Sequence, residues 1–319
     1  MIPARTAPPS LVRSARSGAG SVWLALGTVY LVWGSTYLAI RLAIDSIPPL
    51  LMASARFFLA GAILYAWARL RPGQEPSERI GRAQWGGAFL VGGALLLVGN
   101  GGVSVAERTV ASGVVALLVA TVPLWMALFD RVFFGRRLSR RAVAGLIIGF
   151  AGVALLLESD GSGGGKIDFF GALIALAAPI GWAAGSVYSQ RASLPRRPLM
   201  ATAMEMLAAS LLLAIAAAVS GEFAQLHLTG ISLTSLMALA YLVAFGSIVA
   251  FSAYVWLLRA APLSLVSTYA YVNPVVAVFL GWLVLSEHVS IQNILAGAVI
   301  VASVALIVSG RARTAPERH

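Results

Sequence analysis

Ten stretches of mostly apolar residues follow one another along the chain, near 22–43, 49–68, 84–105, 110–130, 141–158, 168–190, 198–219, 234–257, 261–285 and 291–309. A helix rising 1.5 Å per residue needs about 20 such residues to cross a hydrocarbon core of about 30 Å. The connections between the runs are short, so no soluble domain is attached. The spacing therefore predicts an all-α polytopic membrane protein with ten transmembrane helices. Composition agrees: 59% of the 319 residues are hydrophobic and only 11% are charged, against about 25% charged in a soluble domain. A soluble enzyme, a disordered chain and a nucleic-acid binder are excluded despite the net charge of +11. The first apolar run is too long for a signal-peptide core and lacks a small-residue cleavage site, so it counts as a mature span.

The basic residues give the expected sidedness. Nineteen of the 23 Lys and Arg residues fall in the two tails or in the connections after runs 2, 4, 6 and 8; the other four are Arg41, Arg56, Arg108 and Lys166. Cytoplasmic connections carry such an excess. Both termini are predicted to be cytoplasmic, with residues 1–20 a flexible tail and 311–319 a second one. The high isoelectric point then reflects orientation and lipid headgroups.

An internal repeat appears at an offset of 151 residues. Gly34-Ser35-Thr36-Tyr37 matches Gly185-Ser186-Val187-Tyr188, Arg108 matches Arg259, Pro123 matches Pro274, and Ser139 matches Ser290. The halves are residues 21–160 and 161–310, five runs each. Five is odd, so the second half must cross in the opposite sense, giving two inverted five-helix repeats. Secondary transporters use this plan, with substrate near the midplane and alternating access between the halves. No G-x-x-x-x-G-K-[ST] sequence is present for ATP-driven transport.

The strings WGSTY at 33–37, Arg56-Phe57, GNG at 99–101, ATVP at 120–123, GSVY at 185–188 and YAYVNP at 269–274 resemble the EamA-type family of the drug/metabolite transporter superfamily, in order and across both halves. The resemblance implies a ten-helix carrier of the bacterial inner membrane. Members with assigned work, the YddG-type proteins among them, mostly export amino acids and related metabolites. Export as opposed to import follows from the resemblance alone.

Polar and aromatic side chains deep in the runs define the candidate substrate site: Trp33, Ser35, Tyr37, Asn100, Trp182, Ser186, Tyr188, Tyr269 and Asn273. Tyr30, Trp33, Tyr37 and Arg41 form one stripe at helical spacing. The competing reading is interfacial aromatic belts and small-residue helix packing, and Tyr254 and Trp256 are assigned to such a belt. Pro123 and Pro274 are the candidate gating or hinge positions, because proline removes a helical hydrogen bond and crowds the carbonyl four residues earlier. Arg56 and Glu205 are the buried ionisable candidates, since charge at that depth is expensive. Against this, Arg56 could snorkel and Glu205 could pair with Arg196 or Arg197. Glu205 is a candidate proton carrier, but uncoupled diffusion suits a single deep carboxylate equally well.

The expected function is a secondary transporter exporting small neutral or zwitterionic metabolites, amino acids foremost, by alternating access. An importer or facilitator is the alternative. An intramembrane enzyme is more distant: the chain has no cysteine, its three histidines lie outside the apolar runs, and no nucleophile–base pair is buried. The expected partners are a small-molecule substrate and the lipid bilayer, with no nucleic acid, no metal and no cofactor. Oligomeric state stays open.

Overall fold

Apolar side chains on every face of a helix leave no stripe for water, and such helices are either deep cores or membrane spans. The computed structural model describes residues 19–70, 80–135, 139–157, 168–261, 263–266 and 268–312, and all of its regular structure is helical. The helices are α1 (Ala19–Ala43), α2 (Pro49–Leu70), α3 (Arg82–Ala106), α4 (Ser112–Val119 and Val122–Phe134), α5 (Arg140–Leu157) and α6 (Phe169–Ser189). They continue with α7 (Pro198–Val219), α8 (Leu233–Tyr241, Leu242–Val249 and Ala250–Ala260), α9 (Leu263–Val266 and Tyr269–Leu285) and α10 (Ile291–Ala312). Eight of these, α1 to α8, are long and apolar enough to cross a membrane, and α9 and α10 contain shorter apolar helices. Of the predicted tails, 1–20 and 311–319, residues 19–20 and 311–312 are instead helical, as parts of α1 and α10; the rest of both tails and Lys166 lie outside the described residues.

Two helices depart from α geometry where the sequence reading expects plain spans. Gly93–Gly101 in α3 and Leu242–Val249 in α8 are π-helical, a form that concentrates at functional sites. At the repeat offset of 151, residues 93–101 correspond to 244–252, so the two segments nearly coincide.

The prolines act unequally. Pro123 is the second residue of the second piece of α4, just past a break at Ala120-Thr121. Pro274 sits inside α9, six residues after Thr268. Pro179, inside α6, is a further helix proline that the sequence reading leaves unremarked.

Polar contacts gather one set of helix ends into a common layer. Glu222, in the turn after α7, accepts from the amides of Leu50 and Leu51 at the start of α2, at 2.9 and 3.0 Å. Glu287, after α9, accepts from Ser112 and Gly113 at the start of α4. Ser232, before α8, donates its amide to Ser46 between α1 and α2 at 3.0 Å. Thr109, after α3, donates to Asp168, the residue that caps α6. We call this the distal end, and the opposite one the proximal end.

Helices α2 and α7 pack on each other, as do α5 and α10, while α1 lies against α8 and α9 and α6 against α3 and α4. Small residues permit these approaches. On α5, Gly145, Gly149 and Gly152 face α10, and a Cβ on Gly145 would stand 2.7 Å from Ile307. The matched serines found in the repeat do the same local work. Ser139 Oγ accepts from Ala142 N at 3.2 Å, and Ser290 Oγ accepts from Asn293 N at 3.1 Å. Each caps a helix start that would otherwise leave amides unpaired.

Candidate functional site

The α1 stripe ties that helix to three different neighbours. Tyr30 Oη meets Thr268 Oγ1 between the two pieces of α9, and Trp33 Nε1 donates to the Gly246 carbonyl oxygen in the π segment of α8 at 3.2 Å. One turn from the distal end, Arg41 Nη1 donates to the Glu107 carbonyl oxygen after α3. Ser35 Oγ pairs with Tyr241 Oη at 2.7 Å, adding a second tie to α8.

Around Trp33 the aromatics close into a cluster. Ring centroids lie 5.1 Å from Tyr254, 5.3 Å from Tyr269 and 6.1 Å from Phe251, and Tyr254 and Tyr269 are 5.8 Å apart with perpendicular planes. Such edge-to-face pairs add about 0.5–1.5 kcal/mol beyond burial. Tyr254, assigned to a belt from sequence, is therefore a member of the buried cluster, because the rotation of α8 turns it inward. Trp256, two residues on, is 38% exposed. Asn273 is 8% exposed, and with its amide nitrogen facing the main chain it donates to the carbonyls of Tyr269 at 3.2 Å and Tyr30 at 3.3 Å.

Arg56 adjoins the same π segment. Its Nε donates to Ser247 Oγ at 2.8 Å, its guanidinium carbon lies 4.9 Å from the Phe57 ring centroid, and it is 5% exposed. It does not snorkel. A Cβ on Gly246 would stand 3.2 Å from both Arg56 Nη2 and Thr36 Cγ2, so the absent side chain makes room for the guanidinium. Trp33, Arg56, Gly246 and Ser247 thus share one locus, bringing an indole, a cation, a carbonyl and a hydroxyl together in mid-helix.

The candidates on α3 and α6 assemble elsewhere. Trp182 packs against Gly99 in the α3 π segment, and Ser186 Oγ donates to the Trp182 carbonyl oxygen at 2.7 Å. The Asn100 carbonyl oxygen accepts from Ser104 Oγ at 3.0 Å. Tyr37 packs against the apolar core nearer the distal end, and Tyr188 points outward, 45% exposed. Glu205 is 8% exposed, with its backbone pressed against Gly92 of α3. Arg197 Nη1 donates to the Ala68 carbonyl oxygen at 2.9 Å. No group of three or more His, Cys, Asp or Glu side chains able to hold a metal exists among the described residues.

A helical membrane protein whose long apolar helices are broken or widened along their length, with polar groups converging there, has the design of a small-molecule carrier. The chain belongs to the EamA-like transporter family, whose pattern matches residues 20–158 and again 169–309. It is 44% identical over 289 residues to the uncharacterized inner membrane transporter YedA of Escherichia coli K12, covering 90% of each chain. The uncharacterized transporter YvbV of Bacillus subtilis is 25% identical, over 89% of this chain and 90% of its own. A probable amino-acid metabolite efflux pump of Escherichia coli K12 is 27% identical, over 86% of this chain and 89% of its own. A solved structure 23% identical in sequence shares the fold, with a TM-score of 0.60 over 93% of this chain and all of its own.

Proposed function

We propose that the protein is an inner-membrane secondary transporter that exports small zwitterionic or neutral metabolites, amino acids foremost. The observation that carries this reading is the buried Arg56–Ser247 pair beside the Trp33–Tyr254–Tyr269 cluster. A guanidinium presents a planar fork suited to a carboxylate, and aromatic faces attract an ammonium group. Together they offer the two ends of an α-amino acid one partner each. The efflux-pump relative supports the same substrate class by its description. Ten spans in two inverted repeats, with both termini cytoplasmic, complete the proposal. The matched π segments, the matched serine caps and the basic-residue asymmetry support that topology. Pro123 and Pro274 act as hinges, since one follows a helix break and the other lies inside its helix.

The test is uptake of a panel of labelled amino acids into proteoliposomes, by counterflow and with an imposed proton gradient. Saturable counterflow of one or more amino acids is expected. Its absence across the panel overturns the substrate class. Reporter fusions after His319 and near Arg136 should read cytoplasm, and one beside Lys166 periplasm; a periplasmic carboxyl terminus removes the inversion.

A further inference from the structure

Directly after α3, Glu107 is 0% exposed, and neither of its carboxyl oxygens has a hydrogen-bond partner among the described residues. Ser112, also 0% exposed, has an unpartnered Oγ. Beside them the Glu287 carboxylate is seated on the first turn of α4, accepting from Ser112 N at 2.8 Å and Gly113 N at 3.2 Å. Gly281 leaves room for it: a Cβ there would collide with Glu287 Oε2 and stand 3.1 Å from Ser112 Oγ. One carboxylate latches α9 to α4, and a second, unpaired, lies behind it.

The charged and titratable groups around Glu107 come from three directions. Tyr37 and Arg41 face it from α1, and Glu287 from the connection after α9. On its own connection, Arg108 acts on Glu222, and Thr109 is bonded to Asp168 of the α6 cap. The local set is two carboxyls against one guanidinium, and a buried unpaired carboxylate is costly. Burial first, then the Glu287 charge, push the Glu107 carboxyl well above the ordinary carboxylate range, against the pull of Arg41. Glu287 also lines a groove of about 960 Å³ between α9 and α10, together with His288, Val278 and Trp282.

We propose that Glu107 is a proton-binding site that governs the distal end of the carrier. Protonated, Glu107 leaves Glu287 seated on α4 and that end shut. When its O–H bond breaks and the proton passes to water at the distal end, the new carboxylate repels that of Glu287. Glu287 then leaves the α4 amides, and α9 parts from α4. Protons arriving from the distal side close that end, which is the step an exporter driven by inward proton flow requires after releasing its cargo. The inference deepens the carrier reading and takes its physiological meaning from it.

The chain has no cysteine, so a single reporter, Val115→Cys, one turn inside α4, reads the latch in the purified full-length protein. Its reaction with a water-soluble maleimide is measured against pH and normalised to Leu228→Cys, which is 76% exposed in the native residue. Normalised labelling should rise with pH by up to about tenfold per unit, the limit for one linked proton. In the Glu107→Gln background it should stay low at every pH, because Gln copies the protonated acid. In the Gly281→Ala background it should be high at every pH. Labelling that ignores pH in the native background, or a pH response that survives Glu107→Gln, overturns the proposal. So does failure of Glu107→Gln to fold, since that would make the anion a structural necessity. No substrate enters this experiment, so a failed amino-acid panel leaves the latch standing, and a flat labelling profile leaves the substrate class intact.

Discussion

Trp33 donates its indole N–H to the carbonyl oxygen of Gly246, joining the middle of α1 to the widened segment of α8. The bond places the aromatic cluster and the Arg56 guanidinium on two sides of one residue. Replacing Trp33 with Phe keeps a ring in the cluster and removes the donor. A buried neutral hydrogen bond is worth about 1 kcal/mol, so stability should fall by about that much and transport should slow. Initial rates of counterflow and a melting curve check this together.

Arg56 tests the proposed recognition of a carboxylate. Arg56→Lys keeps a charge and loses the fork, and charge-assisted hydrogen bonds are worth about 1.5–3 kcal/mol. Half-saturation for an amino acid should rise on the order of tenfold to a hundredfold. Competition by the corresponding amine, which has no carboxylate, should be unchanged; equal losses for both would remove Arg56 from carboxylate recognition.

Substrate protection maps the cavity directly. Cysteines placed singly at Ser35, Ser186, Tyr269 and Asn273 should be shielded by substrate from a water-soluble thiol reagent. Cysteines at Ile148 and Val301, on the paired α5 and α10, should react alike with and without it. Protection confined to α5 and α10 would move the site.

Glu222 caps α2 through the Leu50 and Leu51 amides. Burial raises its carboxyl above the ordinary carboxylate range, and the two amides pull the other way. A carboxyl whose affinity for protons rises on folding favours the folded state most at low pH, and that contribution declines as pH climbs past its unfolded value. Glu222→Gln keeps an acceptor and should flatten this part of the pH–stability curve. Glu222→Ala leaves both amides unpaired and should cost about 1 kcal/mol. Thermal unfolding in detergent across pH separates the two.

Gly149 sits where α5 meets α10 and α4. An added methyl would collide with Leu124 and stand 2.8 Å from Ser303 Oγ. Overpacking of this kind costs about 1–3 kcal/mol. Gly149→Ala should lower the melting temperature, whereas Gly27→Ala, with open space around it, should not.

Much of this was legible because membrane crossing imposes length. The predicted edges of runs 2 and 7 meet α2 and α7 to within two residues. Ser139 and Ser290 stood out as repeat anchors because a cap needs a short side-chain oxygen wherever a helix begins. Trp33, Tyr269 and Asn273 stand out in the sequence as candidates because polar atoms deep in an apolar run need partners. Tyr254 was misassigned since belt and cluster use the same residue type, and only the rotation of α8 decides between them. The π segments escaped notice because hydrogen-bond register is a main-chain property that no residue type dictates; the Gly99-Asn100-Gly101 run hinted at one. Glu107 was passed over because it lies one residue beyond a span, where a carboxylate normally meets water.

The acceptor that holds Trp33 is a carbonyl, and it belongs to a residue with no side chain. Side-chain replacement along α8 cannot delete it. A scan of that helix would register Gly246 only through crowding, as any added carbon meets Arg56 and Thr36. Substitution on α8 therefore leaves this polar point in place, and the bond is removed only from the partner side, at the indole of α1. The anchor of the cluster is inherited with the backbone, and the residue exposed to mutation is its partner.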